Sequence, residues 1–238
     1  MRDLNLNSAT KKYSEATTNT LISAVYTWMT VGLAITAGLA MFLDSSGISQ
    51  KIAQNPGLFL ILIIIELILV FTLSSRINKM SAAAATLIFV LYSALNGLTI
   101  SPILLYYTKS SVVATFFICS GTFATCSIYG WITKNDLTSM GGFLLMGLIG
   151  LIIAMVVNAF IGSSAMDYII SLVAIVVFVG LTAYDTQKIK EMGSTMPANT
   201  SAEMIRKGAI MGALSLYLDF INLFLHILRI FGGGGSSK

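Results

Sequence analysis

The sequence is poor in charge. Asp, Glu, Lys and Arg make up 10% of its 238 residues, against about a quarter in a soluble domain. So few charges cannot cover a water-soluble globule of this size, which argues against a soluble enzyme. A disordered chain needs low hydrophobicity and high charge, and 56% hydrophobic content excludes it. No polar stretch is long enough to fold alone, so the sequence predicts a single polytopic membrane domain. Histidine is nearly absent: with His226 as the only one, a zinc site lacks ligands. The two cysteines, Cys119 and Cys126, stand seven apart in an apolar run. On a helix they share a face about 10 Å apart along the axis, too far for a disulfide, and they read as buried small hydrophobes. The net charge of +4 is spread along the chain with no basic patch and interleaved aromatics, so nucleic acid is not an expected partner.

What is abundant is long apolar sequence. Spanning a bilayer takes about 20 mostly apolar residues, and seven segments meet that test: 20–43, 57–75, 81–107, 111–133, 141–162, 167–189 and 207–231. Turn residues separate them: Asp44 to Gly47 with Asn55-Pro56-Gly57, then Arg76 to Lys79, Pro102 with Lys109-Ser110-Ser111, Lys134 to Asp136, Gly162 to Ser164, and a polar loop near 190–206 holding Pro197. The runs are continuous, not the alternating ten-residue pattern of a membrane barrel. The expected organisation is a polar cytoplasmic amino tail over 1–16, a seven-helix membrane domain over 17–231, and a flexible Gly/Ser tail over 232–238. No internal repeat is evident. Cytoplasmic loops concentrate Lys and Arg. Arg2, Lys11, Lys12, Arg76, Lys79, Lys134, Lys188, Lys190, Arg206 and Lys207 fall on one side, and Lys51, Lys109, Arg229 and Lys238 on the other. Ten against four puts the amino terminus in the cytoplasm and the carboxy terminus outside.

Three acids interrupt the apolar segments: Glu66 in the second, Asp185 in the sixth and Asp219 in the seventh. A carboxylate at membrane depth is costly and is retained where it pairs, lines a wet cavity or titrates. For Glu66 a structural hydrogen bond to a neighbouring helix competes with an ionic role, and Asp185 is close enough to Lys188 and Lys190 to be solvated near an interface. On the seventh helix Gly208, Gly212, Ser215, Asp219, Asn222, His226 and Arg229 follow at steps of four and three, which places them on one face. That helix is expected inside the bundle, with His226 structural and Arg229 snorkelling to the outer interface. The third segment adds Tyr92, Ser93, Asn96, Thr99 and Ser101, which can line a cavity or bind helices together. If the last two helices are neighbours, Asp185 and Asp219 approach one another, and two poorly solvated carboxylates share one proton. Such a pair is a pH-sensitive latch, whose ionised form a cation such as Arg76 or a divalent ion stabilises.

The run Ala213 to Gly232, the segment Ala183-Tyr-Asp-Thr-Gln-Lys-Ile-Lys190 and the segment Asn96-Gly-Leu-Thr-Ile-Ser-Pro-Ile103 resemble signature motifs of the Bax inhibitor-1 family, in particular its bacterial branch. The resemblance extends from about residue 15 to 232. It implies an all-α membrane fold of seven transmembrane helices, six surrounding a central C-terminal helix. It also implies a pH-dependent calcium leak channel gated by two aspartates, whose motif positions Asp185 and Asp219 occupy. Arg76 is the candidate for an arginine that binds one aspartate in the family, and Glu66 matches a second-helix glutamate. Eukaryotic relatives are described as suppressing cell death, and some bacterial ones as modulating a membrane-bound protease.

The expected function is therefore a passive calcium-permeable pathway in the bacterial inner membrane. Asp185, Asp219 and Arg76 form the sensor, Glu66, Asp185, Asp219, Asn96 and Asn222 are pathway candidates, and calcium is the permeant ion or a weak ligand of Asp185 and Asp219. No cofactor and no catalysis are expected. The alternative is a non-conducting regulator that binds another membrane protein. An intramembrane aspartyl protease shares Tyr184-Asp185 and a seventh-helix aspartate, but Asp219 follows Tyr-Leu, not Gly-x-Gly. A retinal protein lacks its lysine on the seventh helix beyond Lys207.

Overall fold

A computed structural model describes residues 2–197 and 199–232, with side chains from residue 15 onward. Beyond Gly232, the expected flexible tail lies outside the described residues. Helix α1 spans Arg2–Ser45, the short α2 Ile48–Ala53, α3 Pro56–Arg76, α4 Ala82–Ile100, α5 Lys109–Ile132, α6 Thr138–Ile161, α7 Ser164–Thr195 and α8 Ala202–Phe231. Seven of them are long and apolar enough to cross a membrane, and the described residues contain no strand.

Local chemistry sets the breaks. Pro56 opens α3, where its missing N–H costs nothing, and Asn55 Oδ1 accepts the Leu58 N–H at 3.0 Å as a cap. Ser81 and Thr108 cap α4 and α5 in the same way. Pro102 falls just after α4, and the chain continues as a 3₁₀ turn over Ser101–Tyr106, the sort of tightening expected where an i→i−4 bond is lost. Gly47 (φ 73°) and Gly162 (φ 69°) supply the left-handed turns after α1 and α6.

Several boundaries differ from those read off hydropathy. α1 is already helical from Arg2, α7 continues to Thr195 and α8 begins at Ala202. Hydropathy marks the width of the apolar slab, whereas backbone hydrogen bonding continues past it wherever polar residues such as Gln187, Lys190 and Glu191 tolerate helix. Helix α2 forms where the sequence alone predicts a loop, and it buries Ile52.

The chain divides into two compact units, one of 1–105 with 189–217 and one of 106–188 with 218–238. In the first, α4 packs against α1 and α3. The contact with α1 is close because two glycines remove side chains from it. A Cβ on Gly32 would sit 2.7 Å from the Phe89 ring, and one on Gly97 would sit 3.0 Å from the Thr36 carbonyl oxygen. Buried Tyr217 lies across the same junction, its ring edge-to-face with Phe89 and Tyr92 at 5.9 and 5.8 Å between centroids. Its hydroxyl lies 2.6 Å from Thr36 Oγ1, which also faces the carbonyls of Ser93 and Gly32. Because the Thr36 hydrogen is committed to one of those carbonyls, Tyr217 is the donor of the pair. Near the start of α8, Arg206 donates to Thr86 Oγ1 at 3.1 Å and covers the Trp28 ring at 5.6 Å.

In the second unit, α5 and α7 meet where a Cβ on Gly130 would collide with the Ala183 carbonyl. α6 and α7 meet where Gly141 and Gly180 make room for Tyr184 and Leu144. Phe220 anchors α8 among Phe116 and Phe123. The free thiol of Cys119 is buried against the Phe220 carbonyl, while Cys126 is half-buried and also free. Two thirds of the apolar span of α8 is buried, the largest share of the seven, against 11% for α3. The outward faces of α3 and α6 carry apolar side chains such as Phe71, Phe143 and Phe160, as a lipid-facing surface requires.

Close glycine packing predicts an asymmetry. Gly97→Leu overpacks the α1–α4 contact and costs about 1–3 kcal/mol. Gly38→Leu, on an exposed stretch with no atom within 4 Å of its Cβ position, leaves stability unchanged or slightly raised. Thermal unfolding in detergent micelles, followed by intrinsic fluorescence, separates the two.

Candidate functional site

The site is built on α7 and the second half of α8. Asp219 is 4% exposed on α8, flanked by Leu216, Tyr217, Leu218, Phe220 and Ile221. Its Oδ2 is buried and has no hydrogen-bond partner among the described residues. Asp185, half-buried on α7, lies near enough for the two carboxyl groups to interact electrostatically. Lys188, one turn on, is the cation that acts on Asp185, with its ammonium 5.8 Å from the Tyr184 ring centre. Both aspartates belong to the second compact unit. An unpaired buried carboxylate oxygen costs about 1–3 kcal/mol or more, so this is a position where the fold carries a polar group it does not use for packing.

The other residues singled out from sequence are placed as follows. Asn222, in the same unit, donates Nδ2 to the Leu218 carbonyl of its own helix at 2.8 Å. His226 is buried, its Nδ1 3.2 Å from Ser171 Oγ and its ring stacked on Phe178, which fits the structural role expected of it. Arg229 is half exposed at the end of α8, with NH1 3.8 Å from Asp167 Oδ1.

In the first unit, Glu66 accepts a hydrogen bond from Thr99 Oγ1 at 2.8 Å. This is the helix-to-helix bond that competed with an ionic role in the sequence reading. Asn96 is buried and donates to the Tyr92 carbonyl. Arg76 is the last residue of α3 and is exposed. The described residues therefore sort the candidates into two groups: Asp185, Asp219 and Asn222 in one unit, and Glu66, Arg76 and Asn96 in the other.

Two polar arrangements escaped the sequence reading. Asn158, a lone amide in the apolar run of α6, donates to the Ser163 carbonyl and to Asp167 Oδ1 and accepts the Ser163 N–H, closing the α6–α7 turn. Its isolation among Val157, Ala159 and Phe160 was the available signal. Gln187 accepts the Leu137 N–H and donates to the Asn135 carbonyl, and a single glutamine in a polar helix end gives no sequence signal at all.

No group of three or more His, Cys, Asp or Glu side chains converges among the described residues. Calcium takes six to eight oxygens, and two aspartates offer four at most.

The family model described as inhibitor of apoptosis-promoting Bax1 matches residues 18–236. The chain is 47% identical over 214 residues to the inner membrane protein YbhL of Escherichia coli, covering 90% of this chain and 91% of that one. It is 44% identical over 215 residues to a protein of Borreliella burgdorferi, with 90% and 92% covered. With protein RP147 of Rickettsia prowazekii it shares 39% identity over 231 residues, 97% and 96% of the two chains.

The unpaired oxygen makes a stability prediction. Asp219→Asn places an uncharged amide in the same volume, and the melting temperature in detergent stays the same or rises. A fall of several degrees would show that the carboxyl group contributes more to stability than an amide of the same shape.

Proposed function

Because the chain belongs to the Bax inhibitor-1 family of multi-pass membrane proteins, we propose that it is a pH-sensitive, calcium-permeable leak channel gated by a proton shared between Asp185 and Asp219. The observation that carries this reading is the buried Asp219 carboxylate, which has no hydrogen-bond partner at Oδ2 among the described residues and lies near enough to Asp185 for the two charges to interact. With one proton between them, a charge-assisted carboxyl–carboxylate hydrogen bond ties α7 to α8. With none, two like charges repel in a poorly solvated place. With both acids protonated, only the weaker bond between neutral acids remains. The link between the two helices thus changes with proton concentration, and the pair titrates as a unit.

Asn222, in the same compact unit as the aspartates, supplies an oxygen-bearing side chain along the ion's route, and calcium crosses without a resident site. The protein works in a bacterial inner membrane, as its similarity to the E. coli inner membrane protein YbhL supports. Its amino terminus lies in the cytoplasm and its carboxy terminus outside, by the ten-to-four distribution of Lys and Arg. It has no catalytic role.

Purified protein in liposomes containing a calcium-sensitive dye tests the reading. Calcium entry into the parent liposomes varies with pH along one apparent titration. Asp185→Asn and Asp219→Asn each flatten that dependence, because an amide cannot exchange the proton. If both variants titrate like the parent, the latch is wrong. If the parent conducts no calcium at any pH, the leak reading gives way to that of a non-conducting regulator of another membrane protein, such as a membrane-bound protease.

A further inference from the structure

The turn of α7 that carries Asp185 is fastened on either side of the acid. Before it, the Ala183 backbone lies against α5 at Gly130, where even a methyl group would collide. The Tyr184 ring fills the space left by Gly141 on α6, 2.5 Å from where a Cβ would stand. After it, Thr186 Oγ1 lies 3.4 Å from Ser127 Oγ on α5.

Gln187 completes the attachment with both ends of its amide. Oε1 accepts the Leu137 N–H at 2.8 Å, and Nε2 donates to the Asn135 carbonyl at 2.9 Å. The pairing also fixes the amide's orientation, since an N–H faces the oxygen and a carbonyl faces the nitrogen. Leu137 precedes the first turn of α6, where backbone donors lack partners within the helix. The adjacent donor, Thr138 N–H, is taken by Asp136 Oδ1 at 2.8 Å. The hydroxyl and amide of Thr138 hold that exposed carboxyl below the usual carboxylate range, so Asp136 is spent locally and leaves Leu137 to Gln187.

We propose that Gln187 is a positioning residue for the acid pair: its two hydrogen bonds to the α5–α6 loop hold the Asp185 turn in register, and so set how close Asp185 stands to Asp219. This rests on the gating reading above. Glutamine suits the task where glutamate does not, because a carboxylate would repel the Asn135 carbonyl and add a charge two residues from Asp185.

The charged groups around Asp185 are few. They are Asp219 on α8, with His226 and Arg229 further along that helix, and Lys188, Lys190 and Glu191 on α7, beside the titratable Tyr184. The loop presents Lys134 and Asp136, both exposed. Beyond Lys109, α5 carries no charged residue, only the titratable Cys119, Cys126 and Tyr129, and α6 carries none. Removing the neutral Gln187 amide therefore alters the pair through position and not through charge.

The liposome assay decides the matter with three further proteins. Gln187→Ala retains calcium flux but shifts the midpoint of its pH dependence by about half a unit or more, in the range by which neighbouring charges move carboxyl groups. Gln187→Met keeps the side-chain volume and removes only the hydrogen bonds. It gives the same shift and replaces the alanine variant if that one does not fold. Thr86→Ala, which breaks a side-chain bond to Arg206 in the other compact unit, leaves the midpoint in place and reports any effect of general loosening. If Asp185→Asn and Asp219→Asn flatten the response while both Gln187 variants titrate like the parent, the positioning role is overturned and the gate stands. A shift of equal size in Thr86→Ala also overturns it. A parent without any pH response removes the gate and this role together.

Discussion

Inside a bilayer no water is available to satisfy a polar group, so every donor and acceptor must find its partner within the chain. The described residues obey this constraint almost throughout. Thr36 Oγ1 donates to a backbone carbonyl and accepts from Tyr217, Asn158 closes a ring with Ser163 and Asp167, and Glu66 takes the hydroxyl of Thr99. Hydroxyl groups along α1 and α5, such as Thr27 and Thr122, turn back onto the carbonyl four residues earlier. Among the described residues two buried side-chain oxygens lack a partner: Ser49 Oγ, in the short helix between the first two spans, and Asp219 Oδ2. The second is the informative one. Natural sequences tend to be consistent at every level except where function requires otherwise, and an acid without a hydrogen-bond partner in the most buried span of the chain is such a departure.

Most of the architecture could be read before any coordinates. Seven continuous apolar runs, interrupted by prolines, glycines and short polar clusters, give seven spanning helices because hydropathy responds to the same slab thickness that selects helix length. It cannot report where a helix ends in water, which is why α7 and α8 each run several residues past their expected limits. Asp219 was conspicuous for the same reason that the spans were, as a charge among Leu, Ile and Phe. The partners of polar groups were not legible. Tyr217 and Thr36 are 181 residues apart, and Gln187 reaches a loop 50 residues earlier. Such bonds depend on helix rotation and register, which periodicity leaves open when a helix is apolar on every side.

The glycines show how those registers are held. Membrane helices gain little from burying apolar surface against one another, since lipid is equally apolar, so close approach and van der Waals contact do much of the work. Gly32 and Gly97 let α1 and α4 touch, and Gly130, Gly141 and Gly180 do the same for α5, α6 and α7. Gly38, Gly121, Gly142 and Gly150 have open space where a side chain would stand. The composition alone does not distinguish these two sets, although the consequences of substitution are opposite.

The guanidinium of Arg206 over the Trp28 ring has an optical consequence. The chain has two tryptophans, Trp28 in the first compact unit and Trp131 in the second, one residue from Gly130. A cation held on an indole face perturbs its excited state, so Trp28 emission is sensitive to the seating of Arg206, while Trp131 reads the neighbourhood of the α5–α7 contact. With either indole replaced by phenylalanine, each half of the molecule carries its own built-in fluorophore, and rearrangements in the two can be followed separately without attaching a dye.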